Sequence, residues 1–192
     1  MKRDAALLSN LAETFEHLDG LGVYSSDPAA RALAVAGLDV VGFGTWRPVR
    51  METDRSALDG LYARLPFRLP RLYEELILSY RWVEADLIGY RFLENPPGPD
   101  LSGLLSAILR DKHLFPTIFR HGYVQFAKGE GIDYDPVCFD SKRRRKGGDC
   151  PVVKLDHEEI LCNERLVVVK ELAPSFVKLV GQTIEAARQI RK

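Results

Sequence analysis

Four side chains in the second half of this chain are of types that could do chemistry: Asp133, Asp135, Asp140 and His157. The run Asp133-Tyr-Asp-Pro-Val137 spaces two carboxylates as Asp-x-Asp. In that arrangement a first aspartate can attack phosphorus beside Mg²⁺, provided that it ends a buried apolar strand. Lys128-Gly-Glu-Gly-Ile132 precedes it here and reads as a turn, so both carboxylates read as loop residues at a strand entry. Asp156-His-Glu-Glu159 suggests half of a metal site. A zinc-protease helix needs a second histidine four residues beyond His157, and Leu161 stands there. His17, His113 and His121 are scattered without ligand spacing. Gly42-x-Gly44 lacks the third glycine and the following helix of a dinucleotide site. With no nucleophile elbow and no phosphate-loop lysine, neither a catalytic residue nor a cofactor or metal is expected.

Lys142, Arg143, Arg144, Arg145 and Lys146 form the strongest charge cluster. Five cations in a row could dock an acidic protein or a phosphate backbone. The same run suits a solvated loop that separates two strands and keeps their edges from mispairing. No aromatic residue interleaves with the cations, so nucleic acid is not the expected partner.

Composition bounds the class. The chain has 192 residues, 46% of them apolar, with Lys plus Arg equal to Asp plus Glu at 27 each. That length supports one full core, and the balanced charge creates no global field toward nucleic acid or anionic lipid. Cys138, Cys150 and Cys162 are an odd set without a Cys-x-x-Cys pair, which reads as reduced, structural thiols in a cytoplasmic protein. No segment approaches the roughly 20 apolar residues of a membrane span.

Ala5, Leu8, Leu11, Ala12, Phe15 and Leu18 recur at helical spacing. A short helix is expected from Asp27-Pro28 to Gly37, then a strand over Leu38–Trp46. Helices follow over about 55–65, from Pro70 with Leu72, Tyr73, Leu76 and Ile77 on one face, and over about 101–109. Strands are expected at 89–94, 123–128, 135–140, 151–155 and 166–170, the third and fourth of these joined by the charged loop 141–149. Pro174 opens a final helix with Phe176, Leu179, Val180, Ile184 and Ala187 inward.

The order of these pieces resembles the SUKH superfamily, the SMI/KNR group of cell-wall-assembly regulators. The matching stretches are Trp46-Arg-Pro48, Leu69-Pro-Arg-Leu-Tyr73, Gly122-Tyr-Val-Gln-Phe126, Tyr134-Asp-Pro-Val-Cys-Phe-Asp140, Pro151-Val-Val153 and Ala173-Pro-Ser-Phe176. Where that family usually has an Asn-Gly-Gly turn, this chain has Tyr80-Arg-Trp-Val-Glu84. The resemblance covers residues 45–180 and implies an α+β fold with one antiparallel or mixed sheet packed by helices; the domain is read as residues 45–192, with residues 1–44 as a helical extension packed on it. It places Asp156–Glu159 in strand and loop. It also implies a non-enzymatic, protein-binding function, such as that of bacterial immunity proteins that neutralise a toxin by steric occlusion. The alternative reading is a metal-dependent hydrolase or phosphatase assembled from Asp133, Asp135, Asp140 and His157.

Overall fold

Leu8, Leu11 and Phe15 fall on one side of the first helix, α1 (Lys2–Leu18), and all three are buried. The structure, a computed structural model, describes residues 2–18, 32–34 and 46–190. Most of the helix expected at 27–37 and most of the strand expected at 38–46 lie outside the described residues; within the former, residues 32 and 33 form a turn and Ala34 bridges the buried Trp46.

Two strands follow α1 in a small sheet of their own: β1 (Val49–Arg50) pairs antiparallel with β2 (Tyr80–Arg81). Between them lie α2 (Ala57–Tyr62) and α3 (Arg71–Ser79), the latter begun after Pro70. β2 starts where α3 ends, so its backbone groups reach β1 before the chain enters the main sheet. The sheet content therefore differs from the single sheet expected.

The main sheet has six strands: β3 (Ala85–Leu87), β4 (Tyr90–Phe92), β5 (Tyr123–Lys128), β6 (Pro136–Asp140), β7 (Val152–Leu155) and β8 (Val168–Ala173). Each strand pairs antiparallel with the next in chain order. Consecutive strands are neighbours, the simplest connectivity an antiparallel sheet allows. The chain is an α+β protein with both of its described sheets antiparallel. Helices α4 (Ser102–Ile108) and α5 (Phe115–Arg120) lie between β4 and β5, α6 (His157–Asn163) between β7 and β8, and α7 (Phe176–Ile190) after β8.

Side chains alternate across a strand, so an apolar run must be covered on both faces. Phe92, Val124, Phe126, Val137, Phe139 and Val152 join a cluster with Phe15 of α1, Tyr73 of α3 and Phe176 of α7. Tyr123, Cys138, Val153 and Leu155 join a second cluster with Ile118 of α5 and Ile160 of α6. The consequence is that β5, β6 and β7 are sandwiched between helices, whereas β8 is the last strand of the sheet.

One local expectation is corrected. Asp156–Glu159 is not strand and loop but the start of α6: Asp156 adopts an extended backbone and its Oδ1 accepts the Glu159 N–H at 3.0 Å. Aspartate at an N-cap satisfies a helix N–H that has no backbone partner.

Candidate functional site

The sequence grouped Asp133, Asp135, Asp140 and His157, and the fold divides them. The turn before β6 carries Asp133 and Asp135, while α6 begins at His157 beside the end of β7. Antiparallel pairing of β6 with β7 makes those ends neighbours. The Asp135 carboxylate accepts the His157 backbone N–H at 3.1 Å and lies 2.7 Å from its ring Nδ1. The Lys154 ammonium is 3.4 Å from Asp135 and also pairs with Asp133. Burial raises the Asp135 carboxyl, but the hydrogen bonds from His157 and Lys154 outweigh it and hold the group below the ordinary carboxylate range. The Lys154 ammonium is held above its usual value, first by its hydrogen bond to Asp133.

Asp140 lies at the opposite end of β6, about 16 Å along an extended chain, where it accepts from Arg143 Nε at 2.6 Å. The four residues therefore do not gather. Asp135 orients the imidazole, and Lys154 places a positive charge between the Asp133 and Asp135 carboxylates. Among the described residues, no three His, Cys, Asp or Glu side chains converge as a metal site.

The basic run is divided as well. Arg143 is committed to Asp140 and to Glu171 of β8, the latter at 2.8 Å. Arg144 donates to the backbone carbonyls of Arg68 and Leu69, fastening the loop to the segment that opens α3. The Lys142 ammonium lies 4.9 Å from the Tyr123 ring centre, a cation–π contact. Arg145 and Lys146 are exposed, and no described carboxylate pairs with either. Gly147 and Gly148 have φ of 99° and 85°, a region that suits glycine and fixes the loop's return.

A charged cleft of about 520 Å³ has no counterpart in the sequence reading. It is lined in part by Glu84, Arg110, Lys128 and Tyr134. Glu84 accepts from Arg110 at 3.0 Å and from Lys128 at 2.9 Å, and Arg110 also pairs with Glu94, so these two cations meet two carboxylates. The pairs lie 26 and 44 residues apart, a separation at which spacing carries no signal.

Cys138 and Cys150 are buried and Cys162 is exposed. Burial pushes the Cys138 thiol well up and the Cys150 thiol up to about 12, so both are held as thiols that pack.

The outer strand is the most unusual surface. β8 exposes residues 168–171, with Val168 at 43% and Val169 at 53%, whereas β6 is buried throughout. The helices on either side of β8 in sequence add exposed Leu161 from α6 and Val177 from α7. No family model matches the chain, and no curated protein matches its sequence.

Proposed function

We propose that this chain is a non-enzymatic protein-binding domain of the SUKH type, an immunity protein that blocks a toxin by covering it. The observation that carries the reading is β8. It is a terminal strand whose valines face solvent. Terminal strands offer free backbone donors and acceptors to which a partner strand can add. The ordered motifs that resemble the SUKH group support the family assignment, and the α+β class of the fold agrees with it. Docking would use the exterior of the sheet and leave the Asp135–His157 pair as a structural clamp between β6 and α6.

The reading is tested by affinity capture from the native host with wild-type and Val169→Glu baits in parallel. Val169 is surface-exposed, so the substitution is expected to change stability by no more than about 0.5 kcal/mol. A protein retained by the wild type and lost from Val169→Glu is the expected outcome. Identical retained sets from both baits would contradict it.

A further inference from the structure

Arg144 does more than occupy a loop. Its bonds to the Arg68 and Leu69 carbonyls bring the segment 68–71 against the loop 142–148, although the two are some 75 residues apart in sequence. Arg71 and Gly147 then line one cavity of about 160 Å³ with Leu72, Glu75, Asp4, Asp149 and Val177. Each acid there is already engaged. Glu75 pairs with Arg55 at 2.8 Å, Asp149 accepts the N–H groups of Cys150, Phe176 and Val177, and Asp4 has a partner of its own. The cations are not engaged in this way: among the described residues, no carboxylate pairs with Arg68, Arg71, Arg145 or Lys146, and all four are exposed.

Arg71 opens α3, where a cation is disfavoured by the helix dipole by about 0.3–1 kcal/mol, so helix stability does not account for its presence. We infer that Arg68, Arg71, Arg145 and Lys146 form one composite surface that receives an acidic segment of a protein partner, a deepening that rests on the function proposed above. An acidic peptide fits better than nucleic acid, because base stacking needs an open aromatic face. The Arg68 guanidinium covers the Tyr62 ring at 4.1 Å, and Lys142 covers that of Tyr123.

The test uses a fluorescent deca-glutamate peptide and a fluorescent ten-nucleotide single-stranded DNA, both titrated with the full chain at low salt and read by anisotropy. Binding of the peptide is expected to weaken with added salt, to fall at least tenfold in Arg71→Glu/Arg145→Glu, and to persist in Val169→Glu. No peptide binding, binding indifferent to the double reversal, or tighter binding of the DNA would each overturn the assignment. If peptide binding fails while Val169-dependent capture survives, the composite surface is refuted and the docking function stands. If peptide binding holds while capture proves indifferent to Val169, the docking function at β8 is what fails.

Discussion

Tyr73→Ala is expected to lower the unfolding free energy by about 3–5 kcal/mol. Tyr73 is fully buried, and its ring lies 5.1 Å from Phe139, 5.5 Å from Phe176, 5.6 Å from Phe126 and 6.3 Å from Phe92. Those rings come from β4, β5, β6 and α7, so one side chain on α3 joins the helices to the sheet. Domains of this size are stable by about 5–15 kcal/mol, so the loss is a large share of the total. The hydroxyl behaves differently. It is buried with no hydrogen-bond partner, and burial alone holds it far above the ordinary tyrosine value. Tyr73→Phe removes a polar atom whose desolvation costs about 1–3 kcal/mol when unsatisfied, so it is expected to be neutral or stabilising. Urea midpoints of the two variants check both statements. A Tyr73→Phe loss above about 1 kcal/mol would mean that the hydroxyl is bonded.

Arg81→Ala is expected to cost about 2–4 kcal/mol through lost charged hydrogen bonds and the cavity left behind. The guanidinium is fully buried, donates to the Ile77 carbonyl at 2.5 Å and the Tyr80 carbonyl at 3.0 Å, and reaches the Thr53 hydroxyl. Its place is the C-terminal end of α3, where the helix dipole favours a cation. Burial lowers its pKa, which is the signature of a charge held without much solvent. Asn95 Nδ2 donates to the same two carbonyls at 3.0 and 2.8 Å. Arg81→Met, which fills most of the volume and leaves Asn95 in place, is therefore expected to cost less than half as much as Arg81→Ala. Equal losses in the two variants, measured by urea unfolding, would show that the charge itself and not the packing is what the site requires.

These core features were legible in the sequence where apolar periodicity was long. The Leu72, Tyr73, Leu76, Ile77 stripe announced α3, and Phe176 to Ala187 announced α7. Strands β5, β6 and β7 were readable because both of their faces are apolar. Short elements were not readable. Ala85-Asp-Leu87 carries too few residues to show a period, and only pairing with β4 makes it a strand. The capping chemistry of Asp156 went unread, because the resemblance assigned that stretch to strand and loop. Of the candidate site, the composition of the basic run was visible and its employment was not. Nothing local tells that Arg144 will serve carbonyls 75 residues away while Arg145 and Lys146 have no ion pair among the described residues.

A protein partner at β8 is what the proposed function requires. The direct measurement is photo-crosslinking in the native host, with a photoreactive amino acid placed at position 169 and, in a separate chain, at position 132. Ile132 is 92% exposed and lies in the turn before β6, two strands in from β8, so it serves as the control. A discrete heavier adduct from position 169 and none from position 132 is the expected result. An adduct from position 132 alone, or from neither position, would contradict it.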